Sequence, residues 1–255
     1  MIANYHTHTW RCGHAEGREA QYVENAIKAG LQILGFSDHA PYRYPNGYRS
    51  RIRMEVNQLE DYVQTVLSLR REYGNQIQIP LGLEMEYYPD LIGNMLPILR
   101  DQSIKYLLLG QHFLGNEMGE AYSGRATEDK TILRRYCDQS IDDIQSGLFS
   151  YFAHPDLIHF VGDEKEYARQ VRRICAEAKS CGMPLEINIL GLSTGRHYPN
   201  MRFWEVAAEE GCQVILGRDA HEPEALLDRE SETGAMELVR SLELNLIDTL
   251  EFRKI

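Results

Sequence analysis

Two histidines separated by one residue, His6 and His8, stand near the N-terminal end of the sequence. On a β-strand, side chains at i and i+2 leave the same face, so this pair aims two imidazoles at one point. Such a pair suits a core poorly and suits a metal site well. Further candidates follow at wide intervals: His14, Asp38-His39, Glu84, His112, His154-Pro155 and Asp219-Ala220-His221. Asp219 and His221 repeat the one-residue spacing. Nine ligands are thus expected, namely His6, His8, His14, His39, Glu84, His112, His154, Asp219 and His221. Imidazole and carboxylate donors without a cysteine cluster suit Zn²⁺, Mn²⁺ or Fe²⁺. One Zn²⁺ takes about four ligands, so nine imply two or three divalent ions. A carboxylate such as Glu84 can bridge two of them. Ions about 3.5–4 Å apart can hold a hydroxide and clamp the attacking and leaving oxygens of a phosphate displacement. Taken singly, each residue also fits a capped turn or a hydrogen-bonded strand end, and Glu86 rivals Glu84 on the same strand face. The joint placement argues for ligands.

These residues need elements that bring them together. Apolar runs alternate with longer amphipathic segments. Strands are expected at 2–6, 33–37, 77–83, 107–109, 151–153, 185–189 and 214–216. Helices are expected at 19–29, 55–73, 92–99, 128–146, 164–180, 203–210 and 224–242, and the tail 246–252 is expected to add an edge strand. Glycines close most of these helices, as helix C-termini favour. Strands separated by helices of about 10–15 residues imply βαβ units and a parallel sheet. Seven in succession, without a dinucleotide-binding glycine motif, favour a barrel of the TIM-like kind. In a parallel barrel the strand C-termini meet at one mouth, and the polar candidates fall at or just past those ends.

Composition narrows the function. The chain has 255 residues, 43% hydrophobic and 25% charged, which fits one globular domain spanning 1–255. A net charge of −11 opposes nucleic-acid binding, which normally needs a basic face. No apolar run approaches the roughly 20 residues of a membrane span. The first residues lack the basic and apolar regions of a signal peptide, and five scattered cysteines suggest reduced thiols, so a cytoplasmic location is expected.

The whole set resembles the PHP (polymerase and histidinol phosphatase) family. His6-Thr7-His8-Thr9 with Cys12-Gly13-His14 resembles its first motif and Gly35-Phe36-Ser37-Asp38-His39 its second; Glu84, His112, His154-Pro155 and Gly217-Arg218-Asp219-Ala220-His221 follow in the same order. The resemblance implies a distorted (β/α)7 barrel with its metal site at the strand C-termini. It implies that His6, His8, Glu84 and Asp219 hold one ion, that Glu84, His112 and His154 hold a second, and that His14, His39 and His221 hold a third. Glu84, Asp219 and His221 would carry the catalysis, with a hydroxide held between ions as the nucleophile. The run Glu186–Asn188, Gly191-Leu192 and Tyr198-Pro199 resembles the histidinol-phosphatase branch, which implies hydrolysis of L-histidinol phosphate in histidine biosynthesis. The sequence departs from that branch at Ser193-Thr194-Gly195, at His159 and at Arg218. Phosphate binding is therefore expected from Arg196, His197 and Arg11, with the arginines at 43, 49, 51 and 53 crowding a loop over the mouth. A phosphodiesterase or nuclease of the same family is the alternative, and a non-catalytic metal-binding protein a third reading.

Overall fold

The structure, a computed structural model, describes residues 1–119 and 121–255. The chain alternates between strands and helices: β1 Ala3–Asn4, α1 Glu19–Ala29, β2 Ile33–Leu34, α2 Leu59–Tyr73, β3 Gly82–Met85, α3 Pro89–Asp101, β4 Tyr106–Leu109 and α4 Lys130–Gln145. It continues with β5 Tyr151–Phe152, α5 Glu164–Ser180, β6 Leu185–Asn188, α6 Ile189–Ser193, α7 Met201–Glu210, β7 Gln213–Gly217, α8 Arg229–Ser241 and β8 Asn245–Leu246. Every strand pairing is parallel. β1 pairs with β2, and β3 to β8 form a six-stranded sheet in chain order. Single parallel bridges extend both ladders. Phe36 meets Leu81 and His39 meets Glu84 between the second and third segments, while Thr7 meets Ala220 between the first and seventh.

The sheet has two apolar faces, as a parallel sheet covered on both sides should. Leu107, Leu109, Phe152, Leu185 and Val214 pack outward against the helices. Tyr106, Leu108, Tyr151 and Ile215 form a smaller second core with Ala3, Tyr5 and Ala153. The tail caps this inner core, where Phe252 stacks on Tyr106 with ring centroids 4.9 Å apart. Register decides the rest. Glu84 lies opposite Leu108 and Glu186 opposite Ile215, so both carboxylates share the inner face with those residues.

The element order follows the sequence reading except for the short helix α6, which begins at Ile189 where a strand is expected to end, and several boundaries have moved. The expected strand 77–83 begins four residues beyond Gln78, at Gly82, because Pro80 has no N–H to give the ladder. Its outer part survives only as bridges at Gln78 and Leu81. The third helix starts at Pro89, where proline suits the first helical position. The last helix divides. A 3₁₀ turn at Pro223–Leu227 precedes Asp228, whose side chain accepts from the Ser231 amide and restarts the chain as α8. The tail pairs only at Asn245–Leu246 rather than through residue 252. Among the described residues, no helix is long and apolar enough to cross a membrane.

Candidate metal centre

The nine expected ligands converge where the strands end. His6 Nε2, His8 Nε2 and Asp219 Oδ1 form a triangle with edges of 3.1, 3.3 and 3.1 Å. Glu84 Oε2 completes a fourth corner, 3.6 Å from His6 Nε2 and 3.4 Å from His8 Nε2. Four donors placed tetrahedrally around a Zn²⁺ at about 2.0–2.1 Å would stand about 3.3–3.4 Å apart. The donor set fits that geometry. The other oxygen of Glu84 faces a second group. Oε1 lies 3.0 Å from His154 Nε2 and 3.5 Å from His112 Nε2. His14, His39 and His221 form a third group whose donor atoms lie within 4.8 Å of one another.

Orphaned atoms point the same way. Glu84 Oε2, Asp219 Oδ1, His39 Nδ1 and His221 Nε2 are buried without a hydrogen-bond partner. Leaving such groups unpaired normally costs on the order of 1–3 kcal/mol each, so native interiors avoid it. Two site residues also hold left-handed backbone, His154 at φ 33° and Asp219 at φ 50°. Non-glycine residues rarely adopt that region, and such strain gathers at functional sites.

The charges of the cluster are interlocked. Burial lowers the pKa of His6, but Asp219, Glu186 and Glu84 outweigh it and push it up to about 10. Burial likewise opposes a charge on His8, yet the carboxylates of Asp219 and Asp38 beside its ring nitrogens hold its pKa well above the usual value. Burial alone would raise Glu84 and Asp219; the surrounding histidines hold both well below the ordinary carboxylate range. Burial drives His221 down to about 3, with His8 adding to it. His221 is therefore a ready neutral donor, whereas His6 carries a proton at neutral pH. A cation held by the first group would have to displace that proton. Metal affinity is accordingly expected to rise about tenfold per pH unit for each proton displaced, from neutral pH up to about 10. Competition titrations against a chromophoric chelator at pH 7 and pH 8 check the sign and the slope.

Above the cluster lies a cavity of about 380 Å³. His14, His39, Glu84, His112, His154, Asp219 and His221 form its floor, and Ile52, Phe113, Tyr122, Leu157, Leu190 and Tyr198 its walls. Arg196 reaches it from the loop after α6, and its Nη1 donates to Tyr198 Oη at 2.6 Å. The structure does not bring the other two expected phosphate binders to the cavity. Arg11 is buried, and its guanidinium donates to Glu19, Asp61, Thr9 and Thr65. His197 Nε2 donates to the Leu157 carbonyl at 2.7 Å and its ring stacks on His159 with centroids 4.0 Å apart, and neither imidazole lines the cavity. Of the arginines in the crowded loop, Arg49 is exposed and Arg53 is buried.

The sequence matches the PHP domain family over residues 4–189. The chain belongs to the PHP family. Among its relatives, the "Probable histidinol-phosphatase" of Deinococcus radiodurans is 29% identical over 233 residues, covering 87% of each chain. The histidinol-phosphatase of Bacillus subtilis is 24% identical over 249 residues, covering 85% of this chain and 92% of that protein. The fold is that of the histidinol phosphate phosphatase from Lactococcus lactis crystallised with zinc, L-histidinol and phosphate, with a TM-score of 0.75 at 20% identity over 98% of this chain and 97% of that one.

The supporting roles of several residues around this PHP centre, though not the residues themselves, escaped the sequence reading. Glu186 grips His6 Nδ1 with both oxygens, at 3.1 and 2.9 Å, and Asn188 Nδ2 ties Glu186 to Asp219. Asp38 lies 3.4 Å from His8 Nδ1, and Glu86 lies 2.6 Å from His112 Nδ1. A carboxylate at one ring nitrogen keeps the proton there and turns the other lone pair toward the centre. Glu86 has both oxygens engaged, one with His112 Nδ1 and one with Arg53, whereas Glu84 Oε2 is left unpaired. Two glycines make room. A Cβ on Gly110 would lie 2.5 Å from Glu84 Oε1, and one on Gly217 would lie 2.0 Å from Glu186 Oε2. Glycine spacing next to Gln111-His112 and Arg218-Asp219 is the one sequence signal for these contacts.

Proposed function

We propose that this chain is a metal-dependent phosphomonoesterase acting on L-histidinol phosphate, from a single (β/α)7 barrel domain spanning 1–255. The observation that carries the reading is Glu84, whose two oxygens face two separate groups of imidazoles beneath one cavity. The names of the relatives supply the substrate. Barrel closure is supported by the bridge between Thr7 and Ala220 and by the amide bonds His8 N to Ala220 O and Ala220 N to His6 O.

His6, His8, Glu84 and Asp219 would hold one ion, Glu84, His112 and His154 a second, and His14, His39 and His221 a third. When bound, such ions acidify water and screen phosphate charge. The protein's own groups do the rest. Glu186, Asp38 and Glu86 hold protons on the outer nitrogens of His6, His8 and His112 and so fix the ring orientations. Arg196, half-turned into the mouth by Tyr198, presents a fork that suits two phosphate oxygens. Phe113, Tyr122, Leu157 and Leu190 exclude water around the leaving group and offer flat and apolar walls to an imidazole.

The purified, metal-loaded protein is expected to release phosphate from L-histidinol phosphate faster than from other phosphate monoesters and from a phosphodiester. Equal or faster turnover of the diester would move the reading to a nuclease, and no turnover of any of them with full metal occupancy would remove it. In the same assay Arg196→Ala is expected to raise KM roughly 10- to 100-fold, the loss of a charge-assisted hydrogen bond. An unchanged KM would take phosphate binding away from Arg196.

A further inference from the structure

A buried guanidinium lies behind the second group of ligands, outside the cavity itself. Arg53 comes from the long loop between β2 and α2, and its side chain is fully buried. Its Nη2 donates to Glu86 Oε2, and its Nε donates to Glu117 Oε2 at 2.8 Å. Glu86 spends its other oxygen on His112 Nδ1 at 2.6 Å. The rings of Tyr42 and Tyr88 flank the guanidinium at 5.7 and 5.9 Å. Glu117 belongs to a different loop, the one after β4, and Tyr48 Oη reaches its carbonyl at 3.3 Å. Both loops wall the cavity, one through Ile52 and the other through Phe113.

We infer that Arg53 is a positioning residue that holds the His112 imidazole through Glu86 and pins together the two loops that wall the cavity. The inference rests on the reading of His112 as a metal ligand. One planar group makes both connections because its donors diverge at fixed angles and so reach carboxylates on two separate chain segments at once. A lysine keeps the charge and reaches one carboxylate or the other. Fixing a ligand's outer nitrogen matters, since losing such a partner typically lowers metal affinity 10- to 100-fold. The sequence places Arg53 among arginines crowding the mouth, whereas burial turns it into a tie beneath the mouth.

Arg53→Lys decides the matter. Mn²⁺ titration of the metal-free protein, followed by electron paramagnetic resonance, is expected to show one binding step weakened 10- to 100-fold and the tightest step unchanged. In the phosphatase assay kcat recovers with excess Mn²⁺ while KM stays raised. An isotherm that superimposes on the wild type at every step, with unchanged KM, overturns the inference and leaves Arg53 a purely structural residue. Should Arg53→Lys not fold, Glu117→Ala removes the Arg53 tie between the loops while keeping the Tyr48 hydrogen bond to the backbone carbonyl of residue 117. It is expected to raise KM several-fold with the Mn²⁺ isotherm unmoved, and an unmoved KM overturns the pinning. A wild-type protein that binds Mn²⁺ and hydrolyses no monoester sinks the phosphatase reading, whereas the Mn²⁺ isotherms still decide the role of Arg53.

Discussion

Glu84→Gln is expected to lower kcat/KM for L-histidinol phosphate by about 10³-fold, which corresponds to about 4 kcal/mol of lost transition-state stabilisation. The reason lies in the symmetry of the carboxylate. Oε1 faces His154 and His112, and Oε2 faces His6, His8 and His39. Glutamine keeps one acceptor and turns an NH₂ donor toward whichever group loses. It also removes a full negative charge from a buried cluster in which His6 and His8 carry raised pKa values. Elemental analysis alongside the kinetics separates loss of an ion from loss of charge. Retention of more than a tenth of wild-type kcat/KM at saturating metal would show that Glu84 does not bridge.

Gly110→Ala is expected to damage the centre almost as severely without changing any polar group. The new Cβ would stand 2.5 Å from Glu84 Oε1 and 2.7 Å from His112 Cε1, well inside van der Waals contact. Both neighbours are pinned, His112 by Glu86 and Glu84 by the β3 ladder, so neither can step aside cheaply. Overpacking of this kind costs about 1–3 kcal/mol in stability. Ion binding to the Glu84–His112–His154 group should weaken at least about 100-fold, because that site depends on sub-ångström placement. Gly93→Ala serves as the control. Nothing lies within 4 Å of a Cβ there, and it sits inside α3, where alanine is the better helix former. Equal metal affinities in the two variants would show that the close approach at Gly110 carries no weight.

The parts of this site legible in the sequence are those in which residue type and strand position agree. His6, His8, Asp219 and His221 announce themselves by one-residue spacing, and His39, Glu84, His112 and His154 by closing apolar runs. What stayed illegible acts across strands. Glu186 supports a ring 180 positions away, and its role depends on the register that sets it beside Ile215. Arg53 reads as one of four loop arginines until burial distinguishes it. Arg11 misled for the converse reason. It stands three residues from both His8 and His14, yet the carboxylates of Glu19 and Asp61 on α1 and α2 take its donors. Proximity along the chain says nothing of which neighbour from another element wins a guanidinium.

The bridge between Thr7 and Ala220 joins the first segment of the chain to nearly the last. It consists of few hydrogen bonds, and the sheet has no continuous ladder there. The triangle of His6, His8 and Asp219 sits directly over this seam. A cation shared by those three side chains would tie the start of the chain to Asp219, closing a loop that spans most of the domain. Closing so large a loop removes much of the conformational freedom of the unfolded chain, as a long-range disulfide does. The same ion would then serve as a clasp, and the fold's resistance to opening would depend on the chemistry at its mouth.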